Sequence, residues 1–399
     1  MKVLIVNTIP NGGAANACIN LHKGLLAEGS HSKLLFLDEP KFDLPESESF
    51  LRWEREGEGS FGRLKRKITE KVFYIRKNRK SKKLPSAFFN GPRSHYDVTS
   101  HPFYEEADLI NLHWTGRFLD WPSFFRKNKK PVFWTLHDMN PFTGGYHYEL
   151  GFPMDHYQAL INENIDVKRK AIEHKSITVI SPSRWLLDKS KTSSLFKGYK
   201  HFHVPYGLDT ETFKPMGNKE ARAVLGLPQD KVIYLFVADK IESFQKGLSI
   251  LLEALNCLDA DVVPEIHLVI AGGTITVDGI GHTALGRVHD PKLMSMIYNA
   301  SDFFIIPSLE DNLPNTCLES LCCGTPVIGF PIGGVLDMIT PETNGLLCEE
   351  VNSQSLARTI EKSFARSENF VSSDVSANAL EKYSLKVQAR KYLQIFTES

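Results

Sequence analysis

The chain has 399 residues and carries 47 Lys plus Arg against 47 Asp plus Glu, so its formal net charge is zero. Its length exceeds one ordinary domain and fits two of roughly 180–200 residues each. The composition is that of a soluble globular protein, and no apolar run approaches the roughly 20 residues of a membrane span, which excludes a chain that crosses a bilayer as apolar helices.

The first apolar run, Val3–Asn7, reads as a strand, and Met1–Asn7 is too short for the apolar core of a secretion signal. The strand ends in Asn7-Thr8-Ile9-Pro10-Asn11-Gly12-Gly13, and a helical pattern runs from Ala14 to Glu28, closed by Gly29. Gly12 and Gly13 let the backbone approach an anion closely, although a plain tight turn explains them equally well. A second strand is expected at Lys33–Leu37.

Zero net charge hides an asymmetry at about 61–84. Arg63, Lys65, Arg66, Lys67, Lys71, Arg76, Lys77, Arg79, Lys80, Lys82 and Lys83 face the single acid Glu70. Leu64, Ile68, Val72 and Ile75 recur at helical spacing. A basic amphipathic segment suits an anionic membrane surface, and a solvated insertion is the alternative. Without an aromatic stacking platform or a recognition motif, no nucleic-acid partner is expected.

Further strands are expected at Leu109–Leu112, Val132–Leu136 and Ile177–Ile180, and Phe202–Asp209 reads as a last strand running into a turn. His113 and the pair His137-Asp138 directly follow two of these strands. A strand-end histidine can bind a substrate hydroxyl or move a proton, or it can simply be a capping or core residue. Val232–Val237, His267–Ala271, Phe303–Ile306 and Val327–Phe330 form a second set of strands. Apolar strands separated by helices specify parallel sheets covered on both faces. The expected fold is therefore α/β, with one doubly wound domain over 1–205 and another over 206–383. An amphipathic C-terminal helix, about 384–399, is expected to complete the first domain. In such sheets ligands bind beyond the carboxyl ends of the strands.

Ala238 to Gly247 follows the first strand of the second set, and Lys246, just before a helical pattern, is placed as a point charge for a diphosphate. Lys240 is a weaker candidate, equally well read as a solvated residue. Phe303–Ile306 runs into Glu310-Asp311-Asn312-Leu313-Pro314-Asn315-Thr316, where a helix starts at Pro314/Asn315, and Glu319 lies about a turn inside. A helix N-terminus attracts anions, and carboxylates beside it suit hydroxyl groups of the same ligand. That combination suggests a sugar nucleotide. Gly333 and Gly334 supply another glycine pair before an expected helix. The six cysteines show no zinc spacing, and buried free thiols are expected.

Taken together these residues resemble the retaining GT-B glycosyltransferases of family 4. The resemblance rests on Lys246-Gly247, Ala271-Gly272-Gly273, Ala300-Ser301-Asp302, Pro314-Asn315, Leu318-Glu319-Ser320, Cys323-Gly324-Thr325-Pro326 and Asn344-Gly345-Leu346-Leu347, in that order. In the first half, Trp134-Thr135-Leu136-His137-Asp138-Met139 and Pro141-Phe142-Thr143-Gly144-Gly145 look like a bacterial surface-polysaccharide or colanic-acid-type subset. The resemblance implies two Rossmann-like domains facing each other across a cleft, and transfer of a sugar from a UDP- or GDP-linked donor to a glycan or lipid-linked acceptor. It assigns the ribose to Glu319, the donor sugar to Asp311 and His137, and the diphosphate to Lys246. Gly12 and Gly13 would lie near the phosphates. Asp311 stands where the family usually has Glu, with Glu310 beside it as a substitute. No cofactor or metal is implied, and the expected location is cytoplasmic, peripheral at the inner face of the membrane. A catalytically silent scaffold in a polysaccharide assembly complex is the alternative.

Overall fold

Branched and aromatic runs do form the strands of the computed structural model, which describes residues 1–56, 89–238 and 243–398. The basic segment at 61–84 and Lys240 lie outside the described residues. Contacts divide the chain into two units, Met1–Pro205 with Gln388–Ser399, and Tyr206–Val387.

The first unit holds β1 (Lys2–Asn7), β2 (His31–Phe36), β3 (Ser47–Ser49), β4 (Leu109–Leu112), β5 (Val132–Thr135), β6 (Ile177–Ser181) and β7 (Lys200–His203). They form one sheet in the order β3-β2-β1-β4-β5-β6-β7. The second unit holds β8 (Val232–Val237), β9 (Ile266–Ala271), β10 (Gly281–Ala284), β11 (Phe303–Ile306), β12 (Val327–Gly329) and β13 (Gly345–Leu347), in the order β10-β9-β8-β11-β12-β13. Every pairing between them is parallel.

The strands that the sequence hid are edge strands. β3 and β10 have no apolar run, β13 is apolar but only three residues long, and β7 begins before the Phe202–Asp209 segment expected as a strand. All four lie at the margins of their sheets. An edge strand has one neighbour and partial cover, so polar and small residues such as Ser47-Glu48-Ser49 and Gly281-His282-Thr283-Ala284 suffice. Central strands must be apolar on both faces. In the first sheet Leu4, Val6, Ile110, Leu112 and Trp134 pack into one cluster, while the alternating Val3, Ile5, Leu109 and Phe133 pack into another.

The connections that follow two neighbouring parallel strands run in opposite directions at β1/β4 and at β8/β11. At such switch points the loops beyond the strand ends diverge and leave room for a ligand. Backbone and side chains tie each pair of loops together. Thr8 N–H donates to Trp114 O at 2.8 Å and Trp114 N–H to Asn7 Oδ1 at 3.0 Å. Leu309 N–H donates to Gln245 O at 2.9 Å.

The helix Leu385–Glu398 buries Ala389, Tyr392, Ile395 and Phe396 on the face of the first sheet that carries Phe133. Phe396 meets Phe133 edge-on at 4.6 Å, and Tyr392 OH lies 3.0 Å from Thr135 Oγ1. Truncating such a buried ring costs about 3–5 kcal/mol. Phe396→Ala is expected to destabilise the first unit by that amount, read as a lowered urea midpoint. All five tryptophans (Trp53, Trp114, Trp121, Trp134 and Trp185) belong to that unit, so their fluorescence reads the transition selectively.

Candidate active site

In the first unit the polar groups cluster after β1, β4 and β5. β4 is apolar except for the buried Asn111. Its Nδ2 donates to the Phe133 carbonyl at 3.2 Å and to Thr135 Oγ1 at 3.0 Å. Its Oδ1 lies 2.9 Å from His113 Nε2, and His113 Nδ1 lies 2.9 Å from His137 Nε2. Burial, and then the neighbouring His137, hold His113 well below the usual imidazole range. Burial pushes His137 down to about 4, with Asp138 pulling the other way.

Asp138 is a buried carboxylate with several donors. Oδ2 accepts from Trp114 Nε1 at 2.9 Å and from His147 Nδ1 at 2.6 Å, and Oδ1 accepts from the Asn140 N–H at 2.8 Å. Burial alone would raise its pKa, but the charge and hydrogen bond of His147 and the other donors hold it below the usual range. Lys168, fully buried, donates to the carbonyls of Asn140 at 2.5 Å and Thr143 at 3.0 Å and so fixes this loop. Burial brings Lys168 down to about 7, opposed by Asp138. A small recess opens among His113, Trp114, Thr115, His137, Asp138 and Asn140. Gly12 caps the helix Gly13–Ala27 with φ +87°, and a Cβ there would meet nothing within 4 Å.

In the second unit Lys246 and Asp311 come together. Lys246 Nζ lies 2.7 Å from Asp311 Oδ2, and the side chains are 39% and 12% exposed, so a ligand can reach the lysine. Two glycines build this pair. Gly247 has φ +70°, and a Cβ there would stand 1.8 Å from the Pro307 carbonyl oxygen. Gly333 has φ +49°, and its Cβ would stand 1.9 Å from the Asp311 carbonyl oxygen, which also accepts from Gly334 N–H at 3.2 Å. Gly333 and Gly334 thus serve the acidic loop: they open a 3-10 turn, Gly333–Asp337, where the sequence suggested a helix. Glu310 is half-buried beside Asp311. Asn312, Leu313 and Pro314 are buried, Asn315 and Thr316 half-buried, and the helix Asn315–Cys322 starts without a side-chain cap at Pro314. In its second turn Glu319 accepts from Tyr298 OH at 2.9 Å. Burial pushes Glu319 up to about 7, and the Tyr298 hydrogen bond opposes the shift.

The sequence candidates therefore gather in two groups, one in each unit, and Lys240 lies outside the described residues. Sequence reading missed Tyr298, His147 and Lys168, whose partners are distant in the chain. Asn111 left a signal, an amide inside an apolar strand. An Asp-X-Asp triplet, Asp259-Ala260-Asp261, occurs on the connection into β9. That connection enters β9 at its amino end, opposite to the strand ends that carry Lys246 and Asp311. Among the described residues no cluster of His, Cys, Asp and Glu is arranged to hold a metal ion.

Residues 217–370 match the family described as "Glycosyl transferases group 1". A D-inositol 3-phosphate glycosyltransferase of Geodermatophilus obscurus is 30% identical over 183 residues, which is 41% of this chain and 40% of that protein. The chain thus spans about 40% of the length of the curated relative it matches. Among solved structures, HepE of Anabaena in complex with UDP-glucose has a TM-score of 0.68 at 16% identity, with 100% of both chains covered. WaaG, a glycosyltransferase involved in lipopolysaccharide biosynthesis, has a TM-score of 0.63 at 15% identity, also with 100% of both covered. These likenesses show the fold, and the fold is GT-B.

Gly333→Ala forces a methyl against the Asp311 carbonyl at positive φ, so it is expected to destabilise the second unit by more than about 1 kcal/mol. A lowered thermal midpoint checks this. In ligand-free protein the Glu319 carboxyl is expected to titrate near 7 by carbon-13 NMR. Tyr298→Phe removes a donor to the carboxylate and should raise that midpoint further.

Proposed function

We propose that this protein is a retaining glycosyltransferase of family 4, moving a sugar from a UDP- or GDP-linked donor to an acceptor hydroxyl in bacterial cell-surface polysaccharide synthesis. The observation that carries the reading is the Lys246–Asp311 pair at the β8/β11 switch point, with Glu319 on the adjoining helix. This arrangement lies inside the segment that matches the group 1 family. A cation for a diphosphate and two acids for hydroxyl groups are what a sugar nucleotide needs, and HepE was solved with such a compound.

In this reading Lys246 and the amides at the start of Asn315–Cys322 take the diphosphate. Incoming phosphate competes with Asp311 for the lysine and frees the carboxylate for donor-sugar hydroxyls. Asp311, rather than Glu310, takes the first-acid role, because Asp311 already contacts the phosphate-binding cation. Glu319 accepts from the ribose hydroxyls. Gly12 and Gly13 offer backbone to the phosphates, and His137 meets the donor sugar. The bond from the anomeric carbon to the phosphate oxygen breaks, the acceptor oxygen bonds on the same face, and its proton passes to the departing diphosphate. Fixed charge aimed at the leaving group lowers the barrier, and losing one such group typically costs about 10²–10³ in rate.

Lipid-linked acceptors would place the protein at the cytoplasmic face of a membrane, with the basic segment 61–84 on anionic headgroups. Among the described residues no helix is long and apolar enough to cross a membrane.

A panel of UDP- and GDP-linked sugars, scored by thermal shift and by diphosphate release, tests the transferase. One donor should stabilise the protein and be turned over, with about 10²-fold or greater loss in Lys246→Ala and Glu319→Ala. No response to any donor would overturn the reading. Affinity for that donor should rise with pH through about 7, because Glu319 accepts two hydroxyls only as the carboxylate. Replacing Lys65, Arg66, Lys67, Lys77, Lys80 and Lys82 with Gln should weaken co-sedimentation with phosphatidylglycerol vesicles, and unchanged binding would remove the membrane contact.

A further inference from the structure

We infer that Tyr298 is a positioning residue for Glu319: its hydroxyl holds the carboxylate by Oε2 and presents Oε1 to the vicinal diol of a ribonucleotide. That the ligand is a ribonucleotide rests on the transferase reading above. The hold on the carboxylate does not.

Tyr298 is fully buried near the end of the helix Pro291–Asn299, and Glu319 is half-buried on the helix Asn315–Cys322. Thr325 joins the two helices. Its Oγ1 donates to the Tyr298 carbonyl at 2.7 Å, and its carbonyl accepts at 2.8 Å from Oγ of Ser320, the residue after Glu319. The Tyr298 ring meets Phe304 of β11 edge-on at 5.8 Å and Phe213 at 6.4 Å. Backbone and ring are both clamped, so the hydroxyl stands at a fixed point. A carboxylate 2.9 Å away takes its orientation from that hydroxyl.

No other group competes for Glu319. Besides Tyr298, the titratable groups facing it are the Cys322 and Cys323 thiols at the end of its own helix. Burial pushes both thiols up, so they stay neutral. Asp311, and Lys382 and Tyr383 of the helix Ser372–Tyr383, bear on Cys317 instead. Among the described residues no lysine, arginine or histidine pairs with Glu319. Burial, and then the Glu319 charge, hold Tyr298 well above the usual phenol range, so it remains a donor. With Oε2 engaged on the protein side, Oε1 is the oxygen left for a ligand. Two hydroxyls on adjacent carbons suit such a carboxylate, and the ribose of a nucleoside diphosphate supplies that pair. A proton on Glu319 must sit on Oε1, because Oε2 already faces a hydrogen. The acid form then presents a donor where the carboxylate presents an acceptor.

Calorimetric titration of the full chain with UDP and GDP, each beside its 2′-deoxy form, tests the hold. At about pH 8 the wild type is expected to bind one ribonucleotide at least about tenfold tighter than its deoxy form, and Tyr298→Phe to cut that ratio to about threefold or less. The loss should fall on the ribonucleotide, with the deoxy form unchanged, whereas a purely structural role would weaken both alike. The wild-type ratio should rise with pH through about 7, and the rise should come at higher pH in Tyr298→Phe, which lacks a donor to the carboxylate. Glu319→Gln is a second test at nearly unchanged size. Tyr298 would hold that amide by its oxygen and turn Nε2 outward, so the ratio should fall there too. An equal loss of both nucleotides in folded Tyr298→Phe, an unchanged ratio, or a wild type without preference overturns the positioning role and leaves the transferase standing. Failure of the wild type to bind either diphosphate removes the transferase and the ligand together. The carbon-13 midpoint of Glu319 then decides the hold, and a midpoint unshifted in Tyr298→Phe overturns it.

Discussion

A parallel sheet covered on both faces confines chemistry to the ends of its strands. Every described strand pairing here is parallel, and the central strands β4 and β11 are buried along their whole length. A polar side chain inside such a strand must find its partners within the protein or pay desolvation. Asn111 is the case in point. It spends its amide on a carbonyl and a hydroxyl of the neighbouring strand and leaves its oxygen for His113. A requirement of burial thereby becomes a means of orienting a group at the strand end.

Close backbone packing does corresponding work in the second unit. Gly247 and Gly333 sit at positive φ with carbonyl oxygens where a Cβ would be, on Pro307 and Asp311 respectively. These contacts draw three loops against one another and hold Lys246 within 2.7 Å of Asp311. Glycine pairs near strand ends suggest anion loops, yet Gly333 is needed for protein packing. Gly12, with open space around it, retains the freedom that a ligand loop needs.

Buried charge separates the two groups of residues by character. Asp138 is kept ionised by donors that converge on it, whereas Glu319 has Tyr298 as its hydrogen-bond donor and is pushed up to about 7. The difference lies in the number and charge of the partners, since both carboxyls are drawn from water. Asp138 acts as a fixed negative charge within its loop. Glu319 sits near the point where its proton is easily lost to a better environment, such as the hydroxyl groups of a ligand.

By itself the sequence determined what local pattern can carry: the central strands, the helix start at Asn315, the glycine turns, and the acids and lysine beside them. Periodicity and composition act over a few residues, and those features are local. Edge strands β3 and β10 were not legible, because a strand with one neighbour needs no apolar signature, and β13 was too short to stand out. Strand order was not legible either, so the sequence could not say that β1 lies beside β4 or β8 beside β11. The acidic loop was visible as a motif, but its ion pair with a lysine 65 positions away was not. Tyr298 beside Glu319, Lys168 beneath the loop after His137, and His113 against His137 likewise join residues that are distant in the chain. Only the tertiary structure decided these contacts, because hydrogen bonds and packing depend on distance in space, and distance along the chain fixes that only within a turn or two of helix or strand.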